Sequence, residues 1–200
     1  MINFIKKSVL AGLLISLAGW IKLSCIDPII GSILFSVGLI SVFMTESKLF
    51  TGAVGNVNSK RSIFELFPML GLNLVISILI GLCYQEVCGT SDIFTEKMKL
   101  DQLQILPTLF KGVGCGALIY LAVMFWKTEK QIHQIIPVIL CVVGFILGGF
   151  EHSIACAFYL GTSVTTVTEF FVGLLYILIV VVGNAIGSLT IRGLWKGLIK

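Results

Sequence analysis

Residues 134–160 read QIIPVILCVVGFILGGFEHSIACAFYL, and the way this stretch meets a membrane decides the fold. It is apolar from Ile135 onward, is interrupted at Gly148-Gly149-Phe150-Glu151-His152-Ser153, and becomes apolar again to Leu160. A helix needs about 20 apolar residues to cross the hydrocarbon core. A run carrying two glycines, a carboxylate and an imidazole at its middle therefore reads as a crossing with a break in it. Backbone groups freed at a break cannot face lipid and must line a cavity or be buried in protein.

Five further candidate spans lie on either side, at 8–26, 28–44, 63–84, 105–126 and 167–191, making six. The second is short and runs on through Thr45-Glu46-Ser47-Lys48 into Leu49-Phe50-Thr51-Gly52, a second interruption. The N-terminal apolar run follows Lys6-Lys7 but meets no small-x-small cleavage site, and reads as an uncleaved first span. The whole chain agrees. Of 200 residues, 57% are hydrophobic and 12% charged, and the mean hydropathy is +1.06. Soluble domains carry about 25% charged residues, so solubility and disorder are both excluded. The net charge of +4 is scattered without a dense basic run, which argues against a nucleic-acid partner.

The expected class is thus an all-α membrane protein with six transmembrane helices, the second and fifth broken, as one channel domain over 1–200. With the N-terminus inside, the inner loops collect nine cations, Lys6, Lys7, Lys60, Arg61, Lys127, Lys130, Arg192, Lys196 and Lys200, against Lys22, Lys97 and Lys99 outside. This bias puts both termini in the cytoplasm. Six spans split into halves of three, approximately 1–90 and 100–200, and three being odd, the halves are inverted relative to each other. Thr51 and His152 stand 101 residues apart, one in each interruption. Paired breaks at matching positions of inverted halves point to a transport path.

Ionisable residues at membrane depth are costly and are functional candidates by default. His152 is the only histidine inside a predicted span, and a neutral imidazole there still donates one hydrogen bond to an anion. Glu151 reads either as its partner or as a capping carboxylate that takes no part in transport. Thr51 reads on the residues alone as a helix N-cap, with a hydroxyl available to His152 or a substrate as the alternative. Lys111, about two turns into the fourth span, either snorkels or draws anions to an outer vestibule. Lys97 and Lys99, in the loop before that span, read first as a solvated face, with the same vestibule role as the alternative. Phe35, Leu39, Leu49, Phe50, Ile119 and Phe145 are ordinary by composition. The six cysteines lie mostly in apolar stretches, with one bridge among Cys25, Cys83 and Cys88 as the minor reading. No CxxC or HxxxH cluster exists, so neither a metal nor a cofactor is expected.

Leu49-Phe50-Thr51-Gly52 and Gly149-Phe150-Glu151-His152-Ser153-Ile154-Ala155 resemble the two signature segments of the formate/nitrite transporter family. Leu10-Ala11-Gly12, Gly38-Leu39, Asn73, Lys111-Gly112, Leu121-Ala122-Val123 and Gly183-Asn184-Ala185-Ile186-Gly187 fit the same pattern, so the similarity runs through all six spans. The chain departs from that pattern at Gly116 and Cys156, where Asn is common, at Lys48, where an acid is common, and at Ser188, where Gly is common.

The resemblance implies an aquaporin-like fold of inverted three-helix repeats, a homopentamer in the lipid bilayer of a prokaryotic cytoplasmic membrane, and a pore in each protomer for small monovalent anions and protons. By match to the motifs, His152 is the central pore histidine and Thr51 its hydroxyl partner. Phe35 and Phe145 would narrow the outer side and Leu39, Phe50 and Ile119 the inner, with Leu49 a further constriction residue. Lys111 would attract the anion, which would pass the slit as the neutral acid. Gly52, Gly149, Ser153, Asn73 and Asn184 would hold the breaks and the helix packing. Two alternatives carry less. A neutral-solute channel of the aquaporin kind would show paired Asn-Pro-Ala segments. A membrane-embedded enzyme would want more groups converging on Glu151 and His152.

Overall fold

The structure, a computed structural model, describes residues 1–128 and 132–198. Lys130 and Lys200, counted above as inner-side cations, lie outside the described residues. Eight α-helices follow in order: α1 Ile2–Leu23, α2 Pro28–Met44, α3 Phe50–Ala53, α4 Lys60–Cys88, α5 Ile105–Thr128, α6 Ile132–Leu147, α7 Ser153–Ser163 and α8 Val167–Leu198. Short 3-10 turns at Val54–Asn56, Asp92–Met98 and Leu100–Gln102 join them, and no strand occurs among the described residues. Helices α1, α4, α5 and α8 are each long and apolar enough to cross a membrane, while α2, α6 and α7 are apolar but shorter.

The burial pattern is that of a protein in hydrocarbon. Phe64, Phe67, Phe110 and Phe171 are exposed, whereas Ser8, Ser16, Ser32, Ser77, Asn73, Asn184 and Ser188 are buried. Most of the buried hydroxyls return a hydrogen bond to a carbonyl on their own or the facing helix, as Ser16 does to Gly12 at 2.7 Å and Ser188 to Gly116 at 2.9 Å. Buried polar groups without such partners would be costly. Where α5 and α8 meet, side chains give way to backbone. A Cβ on Gly112 would sit 3.0 Å from the Gly183 Cα, and one on Gly116 would run into the Asn184 carbonyl. Small residues allow this approach.

The chain leaves helical geometry between α2 and α3 and again between α6 and α7, and both interruptions are closed by an asparagine in the same way. Asn73 accepts from the Phe50 N–H at 2.9 Å, while its amide group donates to the Ser8 carbonyl at 2.7 Å and the Lys48 carbonyl at 3.1 Å. Asn184 accepts from the Ser153 N–H at 3.0 Å and donates to the Gly112 carbonyl at 2.9 Å and the Glu151 carbonyl at 2.8 Å. One helical turn on from each, Ser77 and Ser188 donate to Gly12 and Gly116. In each set the asparagine takes the first N–H of the short helix and a carbonyl two residues before it. Gly149, in the second interruption, has φ +67°, in the left-handed region that favours glycine.

Removing one asparagine strands one buried N–H and two buried carbonyls, each worth on the order of 1–3 kcal/mol when left unpaired. Asn184→Ala and Asn73→Ala are therefore expected to lower the thermal midpoint of the purified protein by similar amounts, and by more than Ser188→Ala or Ser77→Ala. Equal midpoints for Asn184→Ala and Ser188→Ala would show that these asparagines do not brace the interruptions.

Candidate functional site

The second interruption delivers His152 with its imidazole directed by the backbone. His152 is the N-cap of α7, and its Nδ1 accepts from the Ala155 N–H at 3.2 Å. A backbone N–H only donates, so the neutral ring carries its proton on Nε2, which faces the Thr51 Oγ1 at 2.8 Å. Thr51 then accepts from the ring and keeps its own O–H to donate elsewhere. Thr51 does not cap α3, since Leu49 occupies that position with no side-chain cap bond. The N-cap reading gives way to the pairing, because the fold brings residues 101 apart in sequence into contact. Both side chains are buried.

Two cavities approach this pair from opposite ends and share no lining residue. The one at the Lys22 and Lys97 end is termed the outer cavity, after the orientation expected from the sequence, and the opposite one the inner. The outer cavity, about 180 Å³, is bounded by Lys22, Phe35, Lys97, Phe145, Glu151, His152, Cys156 and Tyr159 among others. The other, about 230 Å³, is bounded by Val42, Lys48, Leu49, Gly52, Asn56, Val123 and Lys127 among others, at the end of the bundle where α1 begins and α8 ends. Phe35 and Phe145 meet edge to face with centroids 6.0 Å apart, and Phe145 stacks on the His152 ring at 6.0 Å. Along α2, Phe35, Leu39 and Val42 share one face, so Leu39 lies between the turn that lines the outer cavity and the turn that lines the inner one. On α5, Ile119 precedes by one turn Val123, which lines the inner cavity. Phe35, Leu39, Leu49, Ile119 and Phe145 belong to one buried apolar cluster.

Two expectations are corrected. Phe50 lines neither cavity and packs with Val54 and Met69 in a separate cluster behind the loop. Its neighbour Leu49 is the one facing the inner cavity, because Asn73 takes the Phe50 N–H and turns that residue into α3. The Lys111 side chain is exposed and does not line the outer cavity. Lys111 serves the interruption through its carbonyl, which accepts from the Glu151 N–H at 3.1 Å.

Lys97 and Lys22 both reach the outer cavity, Lys97 being carried there because Phe94 and Met98 on the same 3-10 stretch are buried. A lysine framed by Phe and Met in a loop was the available sign that this loop folds inward. Lys97 is 2.7 Å from the Glu151 carboxylate. Burial works against its ammonium, but the adjacent Glu151 carboxylate outweighs that and raises its pKa above the ordinary lysine value. The Cys156 thiol donates to the other Glu151 oxygen at 3.1 Å, and Tyr176 also bonds this carboxylate. Glu151 therefore partners Lys97 and not His152. Lys22 adds a second cation over the Tyr159 ring at 5.2 Å, and Lys99 is occupied with Glu96 away from the cavity. Composition gave no sign of Cys156, Tyr159 or Tyr176, since each is an ordinary residue within an apolar helix. The Ser153 hydroxyl is buried without a protein partner among the described residues.

Apolar helices around a buried polar pair, with a cavity on either side, define an all-helical, multi-pass membrane protein. The family model for the formate/nitrite transporter matches residues 1–196, and the chain belongs to that family. Nitrite transporter NirC of Escherichia coli (strain K12) is 26% identical over 146 residues, covering 65% of this chain and 54% of NirC. NirC of Salmonella typhimurium (strain LT2) is 25% identical over the same length. The chain thus matches about half the length of these relatives. A solved FNT family ion channel superposes with a TM-score of 0.85 at 21% identity, over 100% of this chain and 90% of the other. A pentameric formate channel with formate bound gives 0.80 at 21% identity, over 98% and 96%.

Proposed function

We propose that this chain is one protomer of a homopentameric channel of a prokaryotic cytoplasmic membrane, passing small monovalent anions of the formate, nitrite or hydrosulfide class as the neutral acid. The six spans are α1, α2 with α3, α4, α5, α6 with α7, and α8. Residues 1–90 and 100–200 are inverted halves, and both termini are cytoplasmic. The matched asparagine brackets at the two interruptions support that pairing. The observation that carries the functional reading is the buried polar pair Thr51–His152, set among apolar side chains between two separate cavities, the outer one bearing Lys22 and Lys97.

An unpaired anion inside hydrocarbon costs several kcal/mol or more, so the segment of Phe35, Phe145, Leu39, Leu49 and Ile119 excludes it. Lys97 and Lys22 draw the anion into the outer cavity. His152 Nε2–H donates to Thr51 Oγ1 and so directs the free Thr51 O–H toward the path, where it offers the substrate a hydrogen bond between the two cavities, and the acid crosses after taking up a proton. The proton comes from water in the outer cavity. Protonating His152 itself would require Nδ1, which would lose the Ala155 bond and set a cation at the positive end of α7.

Uptake of formate, nitrite and hydrosulfide by proteoliposomes, across external pH from about 8 to about 5, tests this reading. Flux of at least one of them should rise as external pH falls and should saturate. Flux that ignores pH for all three would overturn it. In the same assay Lys97→Gln leaves Glu151 as an unpaired negative charge beside the path, and the half-saturating concentration should rise about tenfold at low salt. Part of that loss should vanish at high ionic strength as screening sets in, and Glu151→Gln added to Lys97→Gln should restore affinity. Lys111→Gln should behave as wild type. If Lys111→Gln weakens uptake and Lys97→Gln does not, the outer capture group is misassigned.

A further inference from the structure

A third cavity, about 510 Å³, lies beside the inner one, at the end of the bundle where α5 and α8 finish. It is bounded by Gly55, Asn56, Asn58, Tyr120, Met124, Lys127, Arg192, Trp195 and Lys196. It shares Asn56 and Lys127 with the inner cavity, and these two are joined by a hydrogen bond of 2.9 Å from Lys127 Nζ to Asn56 Oδ1. That bond is part of the wall between the two spaces. The proposed path does not use this side cavity.

Its lining is one-sided in charge. Lys127, Arg192 and Lys196 converge on it, and no carboxylate of the described residues lines it. Among the described residues Lys127 and Arg192 are held by neutral amide oxygens only, Arg192 Nη2 donating to Asn58 Oδ1 at 2.8 Å. Lys196 has no protein partner among the described residues. Trp195 Nε1 is buried and donates to no protein atom among the described residues. Three cations and a spare indole donor around a volume within the range of small-ligand sites suit an anion with several acceptor oxygens. Arginine with lysine matches phosphate in particular, the fork giving paired hydrogen bonds and the ammonium a point charge.

We propose that this cavity binds a phosphate-bearing anion through Arg192, Lys196, Lys127 and Trp195. The phosphate belongs either to a soluble compound or to the headgroup of an anionic phospholipid, since the cavity lies at the ends of the spanning helices. The site is independent of the pore reading, and its test measures binding and not flux.

Purified full-length protein in phosphatidylcholine nanodiscs is titrated with inorganic pyrophosphate at constant ionic strength, by calorimetry and by thermal midpoint. A second preparation replaces about a third of the lipid with phosphatidylglycerol. Both are repeated with Lys196→Gln, which has no folded-state partner to lose, and with Arg192→Gln. Loss of one charged hydrogen-bonding partner should weaken binding about tenfold or more. A rise in midpoint with pyrophosphate, reduced in either variant, supports the site and a soluble source. A rise with phosphatidylglycerol alone, reduced in either variant, supports the site and a lipid source. No rise with either probe, or a rise undiminished in both variants, would overturn the proposal.

Discussion

Phe145→Ala in liposomes should conduct small anions that the unaltered protein excludes, with conductance raised about tenfold or more and with flux less dependent on external protons. Phe145 closes the outer cavity against Phe35 and covers one face of His152. Without the ring, water follows the substrate toward Leu39 and Ile119, and the desolvation penalty that holds back a bare ion falls. Each 1.4 kcal/mol removed from that penalty is a factor of ten. The same truncation takes a buried aromatic from the core, at a typical cost of about 3–5 kcal/mol, so assembly is to be checked by size-exclusion and thermal midpoint. Phe145→Leu keeps most of the apolar volume and should retain ion exclusion. A folded Phe145→Ala protein that still excludes ions and keeps its proton dependence would show that this ring is not the filter.

His152→Asn is expected to separate the two jobs of the imidazole. Asparagine is a good N-cap, so its side-chain oxygen replaces Nδ1 on the Ala155 N–H and α7 stays intact. The shorter side chain withdraws from Thr51, and the ring N–H that orients the Thr51 hydroxyl toward the path is lost. A hydrogen bond to a charged or partly charged group is worth about 1.5–3 kcal/mol, so flux should drop about ten- to a hundredfold and its pH profile should change, with the thermal midpoint near that of wild type. His152→Ala also loses the cap, which costs about 0.5–2 kcal/mol. If His152→Asn matches wild-type flux at every pH, the histidine is structural and the path must rest on other groups.

The fold was legible because bilayer thickness and backbone satisfaction leave few options. Apolar runs of the right length had to be helices, and glycine, carboxylate and imidazole inside residues 134–160 had to be an interruption with its backbone buried. The motif segments carried the rest of the resemblance, and the family model bears it out across nearly the whole chain. At the site, the sequence marks Thr51 and His152 in two polar stretches and offers their pairing as an alternative to a helix cap, and in the structure the two side chains lie 2.8 Å apart. Phe35 and Phe145 stand out by resemblance alone, since periodicity leaves them in the core.

Side-chain direction was not legible. Lys111 and Lys97 are both lysines on the outer side of the chain, and nothing in spacing told which ammonium enters the cavity. The position of the 3-10 stretch Asp92–Met98 decides it, since burial of Phe94 and Met98 tips Lys97 onto Glu151. Leu49 and Phe50 are adjacent apolar residues, and which of them faces the path depends on Asn73 bonding the Phe50 N–H from 23 residues away. The sequence by itself determined that this chain is an all-helical protein that crosses a membrane repeatedly, because hydrocarbon acts on each segment independently. Only the tertiary structure decided which cation, which leucine and which ring nitrogen meet the path, because those follow from hydrogen bonds and packing between segments far apart in the chain.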